Sequence, residues 1–176
     1  MNSPTNTIPE GLDLVDAPDG PVIRKVWLTW KVVPLAFFAV FWDGFLVFWY
    51  VQAFSKPNPQ LMSVLFPLGH VAVGLGLTYY VIASLVNRTD ILITRFAVRV
   101  ATGPAPWIGN KEVKAGDITD VLVRERSANR GSRTYSVMYA DPSRKERRLV
   151  ASLPESDQAE FVAQMIRTTL GIRKAE

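Results

Sequence analysis

The chain has 176 residues, of which 48% are hydrophobic and 20% are charged, and its formal net charge is +4. It contains no cysteine, which excludes disulfides, thiolate metal sites and cysteine nucleophiles. One histidine is too few for a self-contained zinc site or a two-histidine haem site within a single chain.

The first 25 residues are predicted to form a polar N-terminal tail. This segment is acidic, with Glu10, Asp13, Asp16 and Asp19, so it does not begin like a cleavable signal peptide.

Two long apolar stretches follow, Val32 to Phe54 and Leu61 to Val86, separated by the polar hexapeptide 55–60. Each is long enough to cross a bilayer, since about 20 residues at 1.5 Å per residue span the roughly 30 Å hydrocarbon layer. The linker permits only an antiparallel return. Residues 26–87 are therefore predicted to form a transmembrane helical hairpin.

Basic residues flank both ends of this hairpin, whereas its turn holds only Lys56. The positive-inside bias then predicts a multi-pass protein of the inner (plasma) membrane with cytoplasmic N- and C-termini. The flanking residues are Arg24, Lys25, Lys31, Arg88, Arg95 and Arg99.

Each apolar stretch contains one ionisable side chain, Asp43 in the first and His70 in the second. Counted from the turn, their depths differ by about 3 Å, so they are expected to pair across the hairpin. Contact with a partner subunit is the second interpretation. A proton relay, or a pigment or haem shared with another chain and bound by His70, is the third; otherwise no cofactor is expected.

Three glycines of the second stretch, Gly69, Gly74 and Gly76, would allow another helix or a flat ring to approach closely. Ordinary helix packing is the simpler interpretation. Through such a face the chain could contact other membrane-protein subunits or a second copy of itself.

After residue 88 the apolar pattern changes to short alternating segments, which predict strands. From residue 157 it becomes helical, with Asp157 and Glu160 resembling a capping box and Gly171 a helix stop. An antiparallel sheet of six or seven strands closed by one C-terminal helix is expected, so the fold class is α+β. The predicted strands are Asp90–Thr94, Ala97–Ala101, Lys111–Lys114, Ile118–Val123, Arg133–Ala140 and Arg147–Ser152.

A two-helix hairpin followed by short strands and a terminal helix resembles bacterial membrane proteins that carry a pleckstrin-homology-like (PH-like) domain. The resemblance rests on residues 87–94 (NRTDILIT), residues 103–110 (GPAPWIGN) and the ending Leu170-Gly171-Ile172. It implies a PH-like β-sandwich or barrel over residues 88–172, with 173–176 as a short tail. It also implies scaffolding, assembly or membrane-surface binding in place of catalysis. Inositide recognition is not carried over, because the first turn holds only Arg95 and Arg99.

Basic residues cluster in sequence around two predicted hairpins of this domain. A solvated sheet edge, anionic lipid headgroups and an acidic protein partner all remain open as interpretations. Nucleic acid is not expected, because the aromatic residues follow a core pattern. The cluster comprises Arg124, Arg126, Arg130, Arg133, Arg144, Lys145, Arg147 and Arg148.

No catalytic motif is present in the sequence, so we do not expect an enzyme. Two functions remain. The first is a membrane-anchored PH-like binding or scaffold module, and the second is a small accessory or assembly subunit of a larger respiratory or photosynthetic membrane complex.

Overall fold

The structure is a computed structural model, which describes residues 8–58, 60–127 and 133–172. These residues form an α+β protein with four α-helices and eight strands. They divide into a helical unit, residues 27–87 with 104–106, and a β unit that contains the rest.

The helical unit contains α1 (Val32–Phe54), α2 (Leu61–Leu65) and α3 (Leu68–Val86). The stretches Val32–Phe54 and Leu61–Val86 are both long and apolar enough to cross a membrane, which confirms the predicted pair of candidate spans. The second stretch is interrupted, however, between α2 and α3. Pro67 causes this break, because it has no N–H to donate to Ser63 and its ring crowds the preceding turn.

The β unit consists of two antiparallel sheets, with strand orders β1-β2-β3-β4-β5 and β6-β7-β8. The six predicted strands correspond to β3 through β8 and are confirmed. The described strands do not close into a barrel, so that part of the expectation is not supported. The bounds are β1 Leu12–Ala17, β2 Gly20–Val26, β3 Arg88–Ile93, β4 Ala97–Gly103, β5 Lys111–Lys114, β6 Asp120–Ser127, β7 Arg133–Ala140 and β8 Glu146–Leu153.

The predicted polar tail was wrong for residues 12–25, which form β1 and most of β2. The acidic side chains of Asp13 and Asp16 are exposed, while Leu12 and Ile23 are buried in the core. The turn between the strands ends at Gly20, whose φ is +141°. A Cβ there would lie 2.5 Å from the carbonyl oxygen of Ile93, so the turn needs glycine.

The C-terminal helix α4 (Ser156–Leu170) packs Ala159, Val162 and Ile166 into the core formed by the strands. It ends at Gly171, as the sequence predicted, and this residue has the left-handed conformation. The Ile172 N–H donates to the backbone carbonyl of Arg167 at 2.9 Å. The predicted capping box was wrong. Glu155 is the N-cap and makes no side-chain capping hydrogen bond.

The helical hairpin is an insertion between two neighbouring strands of one sheet. Strand β2 ends at Val26, shortly before α1 begins at Val32, and β3 begins at Arg88, directly after α3. The two strands pair antiparallel, with Val26 opposite Arg88. The Trp27 N–H then donates to the Asn87 carbonyl at 3.4 Å, so the pairing continues to the base of the hairpin.

Candidate functional site

Asp43 forms a hydrogen bond between the two long helices. Its Oδ2 accepts from the Thr78 hydroxyl of α3 at 2.6 Å. Both side chains lie inside the candidate spans, where a polar group without a partner costs several kcal/mol. Thr78 therefore provides a hydrogen-bond partner for the Asp43 carboxyl group within the apolar hairpin.

The His70 ring packs against aromatic side chains. It stacks on Trp42 with a centroid distance of 5.7 Å and tilts against Phe66 at 5.4 Å. The Trp42 indole also donates to the His70 carbonyl at 3.2 Å. In the part of the chain that the structure describes, no hydrogen bond or ion pair joins Asp43 to His70, so the structure brings Asp43 together with Thr78 instead.

Only one of the three predicted packing glycines is closely approached from α1. A Cβ at Gly74 would lie 2.7 Å from the Asp43 carboxylate and 3.2 Å from the Trp42 ring. At Gly69 and Gly76 nothing lies within 4 Å of such an atom. Gly74 therefore makes room for Asp43, while Gly69 and Gly76 leave open space.

A groove of about 820 Å³ runs along the helical unit on the side of Asp43. Its wall is apolar and aromatic, including Tyr50, Phe54, Leu68 and Leu75, and it also contains the carboxyl group of Asp43. The groove could accept an apolar helix or an acyl chain.

Two aromatic donors stabilise the break at Pro67. The proline leaves the Ser63 carbonyl without its usual donor, and the Trp49 indole donates to it at 3.0 Å. The Tyr50 hydroxyl donates in the same way to Val64 at 3.1 Å. Both donors lie near the C-terminal end of α1, so this part of α1 supplies hydrogen bonds to the carbonyl groups next to the break in the second stretch.

Three members of the predicted basic cluster are paired with acidic side chains. These ion pairs are largely exposed and add little stability, but they reduce the positive charge of the surface. The pairs are Arg124 with Glu146 at 2.5 Å, Arg133 with Glu125 at 3.3 Å, and Arg147 with Asp141 at 3.1 Å.

The cluster is also divided in space. Arg126 lies near the end of β6 and Arg133 is the first residue of β7, so these two are close together. Arg144 and Lys145 lie in the turn between β7 and β8. The length of β7, about 23 Å from Arg133 to Ala140, separates these ends. Arg148 lies within β8, and Arg130 lies outside the described residues. A cluster that is continuous in sequence thus becomes two smaller basic regions.

A polar contact that was not predicted from the sequence joins β2 to β3. Arg24 donates to both carboxylate oxygens of Asp90, at 2.8 and 3.1 Å. This bidentate hydrogen bonding raises the pKa of Arg24 further above its usual range. The pair is about 30% exposed on each side and lies beside the hairpin insertion in sequence.

Two lysines of the five-stranded sheet reach the backbone of β8. Lys25 donates to the carbonyl of Ser152, and Lys111 donates to that of Arg148 at 2.7 Å. Burial lowers the pKa of Lys25 to about 8. These contacts join the five-stranded sheet to β8 of the three-stranded sheet.

Comparison of the chain with models of protein families and with curated proteins finds no match. Within the described ranges, no group of three His, Asp or Glu side chains is placed to hold a metal ion.

Proposed function

We propose that this chain is a non-enzymatic binding or scaffold module that the helical hairpin anchors in the cytoplasmic membrane. The insertion of an apolar hairpin between two paired strands carries this proposal. The two antiparallel sheets and the C-terminal helix support a PH-like interpretation of the β unit.

Strand pairing restricts how the hairpin can cross a bilayer. Because β2 and β3 are neighbours in one sheet, the chain must leave and re-enter the β unit on the same side of the membrane. An even number of crossings satisfies this requirement, and two candidate spans are present. The basic residues next to both spans favour the cytoplasmic side.

The surface of the hairpin also favours a lipid environment. Large apolar side chains are exposed along α1, including Phe37 at 77%, Val40 at 75% and Phe41 at 65%. In water such a continuous apolar surface would promote aggregation, whereas hydrocarbon chains would cover it. The α1 helix, at 23 residues, is about 34 Å long, enough for the hydrocarbon layer.

The β unit would provide the binding surface. Arg126, Arg144, Lys145 and Arg148 form no ion pair among the described residues, in contrast to their paired neighbours. These cations suit an acidic protein segment or anionic headgroups. Their division between two regions favours contacts at separate points over one deep anion site.

Cysteine labelling in intact cells tests the topology, and the natural chain contributes no background because it contains no cysteine. A cysteine at Ser55 or Asn58 is expected to react with an impermeant thiol reagent before lysis. One at Ser143, in the β7–β8 turn, is expected to react only after lysis. The reverse pattern would invert the orientation, and equal labelling of both sites before lysis would contradict the hairpin.

An accessory or assembly subunit of a larger membrane complex is the second candidate, favoured by the groove beside Asp43. A carboxyl group in an otherwise apolar wall would suit a polar residue on a neighbouring helix. Native mass measurement after mild-detergent purification distinguishes the two functions. A stable large assembly supports the subunit, and a monomer or dimer supports the free-standing module. Loss of a co-purifying chromophore in His70→Leu would add a ligand role for that histidine.

A further inference from the structure

We infer that the loop between β4 and β5 is a third membrane contact, which inserts Ile108 into the interfacial layer of the bilayer that holds the hairpin. This inference rests on the proposed membrane anchoring. The loop covers residues 104–110 and has the sequence PAPWIGN.

The first part of this loop belongs to the helical unit and not to the sheet that it connects. The Ala105 N–H donates to the Asn87 side chain at 2.7 Å, and the Tyr79 hydroxyl donates to the carbonyl of Pro106. Asn87 is only 2% exposed. The loop is thus fixed to α3 at two points.

These two points place the loop at the depth of the membrane interface. Tyr79 lies eight residues before Asn87, which is about 12 Å along a helix axis. Tyr79 and Tyr80 lie seven and six residues before the end of α3 at Val86, and tyrosines near the end of a span typically place their hydroxyl groups at the boundary between hydrocarbon and headgroups. A backbone segment bonded to Tyr79 lies at this boundary when α3 crosses the bilayer.

The backbone of the segment is suited to such a position. Pro104 and Pro106 have no N–H, and the N–H of Ala105 is already bonded to Asn87. Three consecutive residues therefore present no unsatisfied donor to the lipid, where each would cost several kcal/mol. Three non-proline residues without such a bond would present three unsatisfied N–H donors.

The side chains that follow provide the apolar contact. Ile108 is 88% exposed, and its Cα lies at most about 7 Å from that of Pro106. Trp107 is half-buried and amphipathic, as interfacial anchors commonly are. Contact with lipid would remove the exposed Ile108 side chain from water.

Phe96 offers a matched control. Among the described residues of the β unit, it is the other large apolar residue that is more than 80% exposed, at 84%, and it lies in the β3–β4 turn. That turn is at the end of β3 opposite to Arg88, where the chain leaves the hairpin.

The experiment uses single cysteines at Ile108, Phe96 and Val40 of the full chain, each labelled with an environment-sensitive fluorophore. The proteins are reconstituted into phosphatidylcholine nanodiscs with nitroxide groups at shallow or deep acyl positions. We expect shallow nitroxides to quench the label at 108, deep nitroxides to quench the label at 40, and neither to quench the label at 96. Tyr79→Phe should reduce the quenching at 108 without affecting that at 40.

The outcomes separate the two proposals. An unquenched label at 108 with a deeply quenched label at 40 would overturn the loop contact and leave the anchoring intact. Equal quenching at 96 and 108 would overturn the specific role of the loop. An unquenched label at 40 would overturn both proposals.

Discussion

Replacement of Gly74 by alanine should weaken the hairpin, although alanine is normally the better helix former. The new Cβ would lie 2.7 Å from the Asp43 carboxylate and has to gain about 0.7 Å to reach ordinary contact at 3.4 Å. The Asp43 side chain cannot move away without lengthening its 2.6 Å hydrogen bond to Thr78. Trp42 and Leu46, at 3.2 and 3.3 Å, restrict the remaining space.

The magnitude follows from a comparison with the other two glycines of the same helical stretch. Each Gly→Ala change gains up to about 1 kcal/mol of helix propensity. At Gly74 overpacking costs about 1–3 kcal/mol, and the lost interhelical hydrogen bond costs about 0.6 kcal/mol. Because the propensity gain is common to all three variants, Gly74→Ala should be about 1.6–3.6 kcal/mol less stable than Gly69→Ala or Gly76→Ala, which meet open space.

The assay is reversible unfolding from dodecyl maltoside into SDS, followed by tryptophan fluorescence, because Trp42 and Trp49 donate across the hairpin. Asp43→Ala combined with Gly74→Ala should recover most of the loss, since it removes the closest atom. If the three alanine variants shift together, or if Asp43→Ala gives no recovery, the close approach of Asp43 to Gly74 does not determine hairpin stability.

Three further predictions use the same titration. Double-mutant cycles should give a coupling of about 0.6 kcal/mol between Asp43→Asn and Thr78→Val, and none between Asp43→Asn and His70→Leu; the reverse would restore the sequence-predicted pair. Tyr50→Phe removes the donor to the Val64 carbonyl and should cost about 1 kcal/mol, whereas an unchanged midpoint would show that water replaces it. Because burial lowers the pKa of Lys25 to about 8, the folded state binds fewer protons than the unfolded state from about pH 8 to 10.5. Stability should therefore rise with pH across that window, and Lys25→Met should remove this increment and stabilise the protein at pH 7; an identical pH slope in both proteins would contradict it.

The elements that could be predicted are those whose signal is local. The two apolar stretches and the alternation in β3 through β8 depend on neighbouring residues only, and the structure places them within a few residues of the expected bounds. The N-terminal strands were missed because Asp13, Asp16 and Asp19 gave the segment an acidic composition. The turn 18–20 (PDG) between two short apolar segments was the available signal.

The polar contacts depend on geometry that the sequence does not contain. The depth of a residue along a helix axis can be counted from a turn, but the direction in which its side chain points around that axis cannot. Thr78 could not be identified as the partner of Asp43 from the sequence, because a threonine in an apolar stretch carries no charge that would distinguish it from other packing residues. Likewise, Arg126 and Arg144 are near in sequence yet lie at opposite ends of β7.

The position of the hairpin within the sheet has a consequence for biosynthesis. Strands β1 and β2 are translated first, but β2 cannot find its partner until residues 27–87 have been synthesised and β3 has emerged. Closing so long a loop is entropically unfavourable in a free chain. Insertion of the two helices would bring Trp27 and Asn87 side by side and remove much of that cost, while a chain arrested after one crossing would leave β2 and β3 on opposite faces. On the proposed topology, completion of the five-stranded sheet would thus occur only after both helices have been integrated.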